Sequence, residues 1–456
     1  DPSGLTDASM TRSPTHSRIA GLRSAAALVL AGPLFLAGPL FLASPLFLAS
    51  PMVLAPVAAE AGPDARVLAA VKAQDQPLRE TLAGLVNVDT GTGTVAGLAR
   101  IETTLRARLE ALGASVETRP APAFGGNTLI GTLNGTGTRK LMMLVHYDTV
   151  FGEGDAAKRP YTERDGRAYG PGVADAKGGI AIILHTLAAL KTLDFARFGT
   201  ITVVFNPDEE RGSRGSRDDI HAVAAGQDAV LSFEPSFADE AVDAATIATK
   251  GINYASLTVK GRSAHAGGAP EAGRNAVTEL AHQILQLQDL GDARKGTSLH
   301  WTVVSGGTKP NIIPDQAKAE GDMRYFDDAE YERVLSQARR ITEAHRVPDT
   351  QVTFALTKGR PPLPVNPETR ALGERAQGIY REIGGDLKLV EIGGGTDAAY
   401  AFQPASPGKP VVLESLGVVG GRYHSADEFA VLDSLTPRLY LATRLVMQLS
   451  EDAPGR

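Results

Sequence analysis

The sequence contains no cysteine, and that absence removes disulfides, thiolate nucleophiles and thiolate-held zinc from consideration. Any metal bound by this chain must sit on imidazoles and carboxylates. A strong excess of either charge is also missing. The 46 basic and 52 acidic residues give a formal net charge of -6, which offers no basic footprint for nucleic acid. What is present is ordinary for a soluble chain with a large core: 43% hydrophobic and 21% charged residues. A length of 456 residues suggests two or three domains.

One long uncharged run stands apart. Arg12, Arg18 and Arg23 precede an uncharged stretch over 24–59, closed by Glu60. Inside it a unit Gly-Pro-Leu-Phe-Leu-Ala begins at Gly32 and returns in variant form at Gly38, Ser44 and Ser50. A basic start, an apolar middle and a small-residue end predict an export signal over 1–59, with Met10 as its natural start. A periplasmic or secreted protein is expected. A membrane anchor is the alternative, opposed by Pro33, Pro39, Pro45 and Pro51, which would interrupt a spanning helix.

From about Asp64, helical spacing alternates with short apolar runs. Residues 67–85 and 95–112 carry Leu, Val and Ala at helical intervals. Runs at 141–145, 201–205 and 229–233 are nearly continuous in apolar residues, as in a parallel sheet buried on both faces, with helices such as 179–190 between them. This predicts an α/β architecture with a mainly parallel sheet. Near Lys250 the style changes. Residues 252–260 alternate as a half-exposed strand, followed by a helix over 275–290 and strands around 299–304 and 317–325. A helix through Tyr331, Val334, Leu335, Ala338 and Ile341 and a strand at 351–356 complete a ferredoxin-like β-α-β-β-α-β order. Beyond Pro361 the α/β style resumes, with a helix at 371–383 and a strand at 411–413. The expectation is a catalytic domain of 65–249 and 362–456, interrupted by an inserted α+β domain at 250–361.

Each predicted buried strand runs into metal-type ligands at its C-terminal end. These are His146-Tyr-Asp148, then Asp208-Glu209-Glu210, then Glu234. Ligands of open α/β sheets bind outside the carboxyl ends of the strands, so these residues should converge on one cleft. Asp175 lies in a Gly-rich loop before a helix, and His424 in Gly421-Arg-Tyr-His-Ser. Singly, each has a plain reading: a hydrogen-bonded strand-end histidine, an N-cap aspartate, a solvated acidic turn. Together the carboxylates would repel one another without a cation. Two histidines with three or four carboxylates suit a pair of divalent ions.

At these residues a resemblance becomes specific. The segments Leu144-Val-His-Tyr-Asp-Thr-Val, Gly172-Val-Ala-Asp-Ala-Lys-Gly-Gly, Asp208-Glu-Glu-Arg-Gly-Ser and Ser232-Phe-Glu-Pro resemble the co-catalytic di-zinc peptidase family that includes acetylornithine deacetylase and succinyl-diaminopimelate desuccinylase. Ser263-Ala-His-Ala-Gly, Gly393-Gly-Gly-Thr-Asp-Ala-Ala-Tyr and Gly421-Arg-Tyr-His-Ser extend the likeness from about residue 65 to the C-terminus. Glu234-Pro and the late Gly-rich motif are most similar to the bacterial, folate-hydrolysing glutamate carboxypeptidase branch.

The resemblance implies two Zn2+ per subunit, bridged by Asp175, with His146 and Glu234 on one and Glu210 and His424 on the other. It makes Asp148 the carboxylate that orients His146, and Glu209 the general base. The residues alone leave the roles of Glu209 and Glu210 interchangeable. The same likeness makes the inserted domain a homodimerisation and lid domain, whose His265 reaches the partner's cleft to stabilise an oxyanion. Arg324 becomes the clamp for a free substrate carboxylate, and Asn311 a neutral donor beside it. Each of these also has a plain reading as an exposed loop or strand residue.

The expected activity is hydrolysis of an amide bond that releases a C-terminal amino acid, glutamate foremost, from a small-molecule or peptide substrate with a free carboxylate. Folates are included. A deacylase or dipeptidase acting on another N-acyl amino acid is the alternative within that chemistry, and a non-catalytic peptide-binding relative the alternative outside it. Lys250, the only lysine between Glu234 and Gly251, and Arg360 are candidates for a glutamate side-chain carboxylate. Thr396 and Asp397 follow three glycines in a loop expected near substrate. No role is assigned to His185, His221, His282, His300 or His345. No nucleic acid or stable membrane partner is expected.

Overall fold

The computed structural model describes residues 62–236, 242–404, 406 and 409–452. The expected export signal over 1–59 lies outside the described residues. Among those described, no helix is long and apolar enough to cross a membrane.

Six strands form the main sheet, in the order Ser115–Pro120, Asn127–Asn134, Thr200–Asn206, Lys140–His146, Ala229–Ser232 and Val411–Leu413. The last four are mutually parallel, and the first two form an antiparallel edge. The three predicted apolar runs lie side by side at its centre. The mainly parallel α/β architecture is observed.

The central strand Lys140–His146 divides its residues by parity, as alternating strand side chains must. Leu141, Met143 and Val145 enter the larger core, which includes Ile180 and Leu184 of helix Lys177–Thr192 and Leu439 of helix Leu435–Glu451. Met142 and Leu144 enter a second core with Ile220, Ala224 and Ala398. Each such side chain contributes roughly 1.5–3 kcal/mol on burial, and a one-residue slip would exchange the two faces. Register is thereby set, and register positions the site. His146 pairs with Asn206, and Leu144 with Ser232, so Glu209, Glu210 and Glu234 follow their strands at the same end of the sheet.

Close packing brings the Asp175 loop to that end. A Cβ on Gly179 would stand 1.9 Å from the carbonyl oxygen of Phe233. Only glycine lets the helix after Asp175 approach the chain just before Glu234 this closely.

Two expectations change. The periodic stretch 67–85 is two helices, Ala65–Lys72 and Asp75–Val86. Its apolar spacing survives the break because Val67, Val71, Leu78 and Leu82 all reach the same core. Strand Ala244–Thr249, which pairs in parallel with Lys388–Ile392, was not expected. Its small, buried residues give neither a long apolar run nor an alternation.

Between Gly251 and Arg360 a second, antiparallel sheet has the order Ser298–Gly306, Gln316–Tyr325, Gly251–Lys260 and Gln351–Arg360. Helices Ala276–Leu287 and Asp328–Ile341 pack on it, giving the β-α-β-β-α-β order. It has a core of its own, with Leu257, Leu280, Met323 and Val334. Both helices are capped: Asn275 accepts the N–H groups of Val277 and Thr278, and Asp327 that of Ala329. One row across this sheet puts Arg324 and Arg360 on either side of Ile252. Both arginines therefore sit at the same level of the sheet.

Candidate metal centre and active site

Asp175 lies between two histidines. Its Oδ1 is 3.2 Å from His146 Nε2, and its Oδ2 is 3.3 Å from His424 Nε2. Glu234 Oε2 flanks His146 Nε2 at 3.4 Å, and Glu210 Oε2 flanks His424 Nε2 at 3.2 Å. Ligand-type atoms of His146, Asp175 and Glu210 all lie within 4.8 Å of one another. The five residues are one cluster with two halves, each holding a histidine and a glutamate, and they share an aspartate.

Neighbouring groups hold each member in place. His146 Nδ1 is 3.0 Å from the Asp148 carbonyl and 3.2 Å from Asp148 Oδ1. These contacts orient the ring and leave Nε2 to the cluster. Asp148 also accepts the N–H groups of Glu209 (3.0 Å) and Glu210 (3.3 Å) and the Thr92 hydroxyl (2.6 Å). One buried carboxylate thus ties a strand end to the acidic turn. Glu428 does the same for the Asp175 loop, accepting N–H groups of Gly172 (3.2 Å), Ala174 (2.9 Å) and Asp175 (3.0 Å). Glu428 follows soon after His424, so it joins two ligand-bearing segments. His424 has a φ of +60°, a left-handed conformation that costs a non-glycine residue about 1–2 kcal/mol.

Burial raises the carboxyl groups of Glu209, Glu210 and Glu234, the last to about 8. Burial also opposes charge on His146, yet Glu234, Asp148 and Asp175 hold its pKa well above the ordinary imidazole value. Hydrogen bonds to Asp175 and Glu210 push His424 up to about 11. Asp175, although buried, is kept below the usual carboxylate range by the two histidines. Positive charge is what this cluster lacks, and divalent cations supply it. Glu210 Oε1 is buried and has no hydrogen-bond partner among the described residues. Two imidazoles, three carboxylates and no thiol fit hard-to-borderline divalent ions.

The model of Peptidase family M20/M25/M40 matches residues 142–448, a span that includes all five cluster residues. The chain belongs to this family. Carboxypeptidase G2 of Pseudomonas sp. (strain RS-16) is 40% identical over 387 residues, 84% of this chain and 92% of that protein. A tripeptidase from Staphylococcus aureus subsp. aureus Mu50 has a TM-score of 0.71 at 22% identity, covering 83% of this chain and 99% of that one. A dinuclear metal-binding M20 peptidase from Bacillus subtilis has a TM-score of 0.63 at 19% identity, covering 84% and 99%. As an M20 member the chain is a metallo-exopeptidase or amidohydrolase.

In this M20 peptidase a cavity of about 360 Å³ opens on the cluster, lined by Glu209, Glu210, Glu234, Thr396 and the glycines at 393–395. A wider cleft of about 780 Å³ runs from Glu210 and His424 to the second sheet, where Tyr254, Arg324 and Arg360 line it. Arg324 lines this cleft, its Nε donating to Asp322 at 2.7 and 3.0 Å.

His265 and Asn311 line neither cavity of this chain. They are neighbours: His265 pairs with Ile312 in a two-residue ladder, and the Asn311 carbonyl accepts the N–H of Ala266 at 2.9 Å. Both are exposed. His265 Nδ1 accepts the N–H groups of Gly267 (3.2 Å) and Gly268 (3.0 Å), which makes Nε2 the N–H donor of that ring.

Lys250 is not a cleft residue. Its backbone N–H is bound by the Ile392 and Gly394 carbonyls at 3.3 and 3.1 Å, and its ammonium lies 5.3 Å from the centroid of the Phe326 ring. Arg360 lines the cleft, but its guanidinium is engaged by the carboxylates of Glu209 and Asp397. That pairing had no sign in the sequence, because its partners are 151 residues apart. Asp397 in turn accepts from the Ser213 hydroxyl and from Asn206 Nδ2. Thr396 lines the 360 Å³ cavity and donates its hydroxyl to Glu414 at 3.0 Å.

Proposed function

We propose that the chain is a zinc carboxypeptidase that hydrolyses the amide bond to a C-terminal amino acid, with glutamate the preferred product. The observation that carries this reading is Asp175, whose two oxygens each face a different histidine. His146 and Glu234 would hold one Zn2+, Glu210 and His424 the other, and Asp175 both. When bound, such ions supply Lewis acidity, polarising the scissile carbonyl and lowering the pKa of an attacking water.

The chain's own residues do the rest. Glu209 takes the proton of the attacking water and returns it to the leaving nitrogen. Arg360 holds its Oε1, leaving Oε2 without a hydrogen bond among the described residues to carry that proton. Asp148 keeps His146 aligned through Nδ1. Arg324, which also lines the cleft, grips the free carboxylate with its paired donors. The 40% identity with carboxypeptidase G2 over 84% of the chain supports carboxypeptidase action, and a folate-like acyl half is proposed on the resemblance of Glu234-Pro and the late Gly-rich motif to the folate-hydrolysing branch.

The oxyanion donor comes from a second copy of the chain in this reading. His265 and Asn311 stand exposed together with an Nε2–H available. The nearby edge strand Ser298–Gly306 exposes Val303 (54%) and Val304 (61%), and helix Ala276–Leu287 exposes Leu285 (64%). An uncovered sheet edge with apolar residues favours association. Export to the periplasm or beyond completes the proposal, on the strength of the sequence over 1–59.

The position of Lys250 favours one alternative within the same chemistry, release of a different amino acid from an N-acyl substrate. A panel of N-acyl amino acids and folates, incubated with the zinc-loaded protein, separates the two. Preferential release of glutamate supports the proposal, preferential release of another amino acid replaces glutamate, and no release from any substrate overturns the hydrolase reading.

A further inference from the structure

Residues 211–217 read Arg-Gly-Ser-Arg-Gly-Ser-Arg, a three-residue repeat. The fold gives every copy the same orientation. Ser213 and Ser216 are fully buried, while Arg211, Arg214 and Arg217 are exposed. Ser213 donates its hydroxyl to Asp397 and its N–H to the Asp208 carbonyl at 2.8 Å. Asp208 accepts the Ser216 hydroxyl and the Gly215 N–H, each at 2.6 Å. The Tyr400 hydroxyl donates to the Gly212 carbonyl at 3.1 Å. Left-handed backbone at Gly212 (φ +81°) and Ser213 (φ +52°) lets the ribbon turn this way. The segment is pinned from beneath, with its serines turned in and its arginines turned out.

All three arginines line the 780 Å³ cleft that also reaches Glu210 and His424. The other two cleft arginines have acidic partners, Arg324 with Asp322 and Arg360 with Glu209 and Asp397. Arg211 meets the Phe124 ring at 5.8 Å. Arg217 reaches Tyr400 and, at 3.9 Å, the fully exposed Asp218. Arg214 has no hydrogen bond or ion pair among the described residues. A wall of such guanidiniums concentrates anions in the cleft and presents paired donors that match carboxylates.

We propose that Arg211, Arg214 and Arg217 form a subsite for an acidic acyl half, so that among peptide substrates those carrying carboxylates beyond the one held by Arg324 are preferred. The subsite rests on the amide-hydrolase reading given above. It is pre-organised, since the buried serines hold the ribbon before any ligand arrives, and it acts on substrate binding rather than on the reacting atoms.

The test uses the zinc-loaded full chain and two matched substrate pairs, N-acetyl-Glu-Glu against N-acetyl-Gln-Glu and N-acetyl-Glu-Ala-Glu against N-acetyl-Gln-Ala-Glu, scored by glutamate release. In at least one pair kcat/KM should favour the acid roughly fivefold to tenfold, the scale of a few solvent-exposed ion pairs. That preference should lie in KM and shrink as salt is raised. Arg214→Gln should lower the acid-to-amide ratio, Arg214→Lys should keep part of it, and replacing all three arginines with glutamine should bring it near one. A wild-type ratio near one in both pairs overturns the subsite, as does a ratio that survives the triple replacement. If neither pair is cleaved while another N-acyl amino acid is, the subsite falls and the hydrolase reading stands. If no substrate is cleaved, both fall.

Discussion

Arg360 binds Glu209 at two points, the carboxylate through Nη1 and the backbone carbonyl through Nη2 at 2.9 Å. Arg360 ends a strand of the second sheet, and Glu209 opens the turn after a strand of the first. The proposed base is therefore held by the second sheet. Burial works against charge on Arg360, but Glu209 and Asp397 keep its guanidinium firmly protonated. Replacing Arg360 with methionine would leave two buried carboxylates without their cation, a change that typically costs about 3–5 kcal/mol. Urea denaturation should show a loss of that order. A loss below about 1 kcal/mol would mean the pair is solvated and of little consequence.

Glu209→Gln should keep its metal and lose turnover by roughly 10²–10⁴-fold, the usual contribution of a positioned acid-base group. Metal content per subunit and kcat, measured on the same sample, decide this. Loss of metal with Glu209→Gln would exchange the roles of Glu209 and Glu210.

His265→Ala should lower kcat by roughly 10²–10³-fold, the cost of one oxyanion donor. Mixing it with Glu209→Gln should restore part of the activity, because a hybrid dimer would contain one cleft with an intact Glu209 and a partner's intact His265. Absence of any restoration in mixtures shown to exchange subunits would argue against a donor supplied from the second copy.

Three of the five cluster residues were legible in the sequence because each follows an apolar run that announces its own strand. His146, Glu210 and Glu234 lie within a few residues of such runs, and parallel register does the rest. Strand Ser115–Pro120 was hidden because it is mostly exposed and so carries no apolar pattern. Lys250 was a candidate as the only lysine between Glu234 and Gly251, but its backbone is bound by Ile392 and Gly394 and its ammonium lies against the Phe326 ring. The clasp of Arg360 on Glu209 and the grip of Glu428 on the Asp175 loop join residues far apart in the chain, and local pattern carries no trace of such pairs. The Arg-Gly-Ser repeat is visible in the sequence, yet the burial of its serines by Asp208 and Asp397 is what distinguishes it from a solvated basic turn.

Acid should expose a cost at His185, which sits apart from the cluster. Its Nδ1 is 2.8 Å from Gln74 Oε1 and its Nε2 2.8 Å from Thr81 Oγ1, with Arg108 Nη2 at 3.5 Å. Burial, with help from the Arg108 charge, pushes its pKa down to about 4, against about 6.5 in an unfolded chain. Between those values the unfolded chain binds more protons, so stability rises with pH. The contribution is complete above about pH 6.5 and is lost as pH falls toward 4, to the extent of about 3 kcal/mol. Urea midpoints at several pH values should therefore fall more steeply with acid for the wild type than for His185→Gln. Parallel curves would contradict the shift.

In the proposed reaction a metal cluster organised by Asp175 cleaves an amide bond to a C-terminal amino acid. The most direct measurement strips the protein with chelator, restores Zn2+ in steps and follows glutamate release from an N-acyl-glutamate against zinc bound per subunit. Turnover should be absent in the stripped protein and should rise until both halves of the cluster are filled. Undiminished turnover after stripping, or no glutamate release at any zinc occupancy, would contradict it.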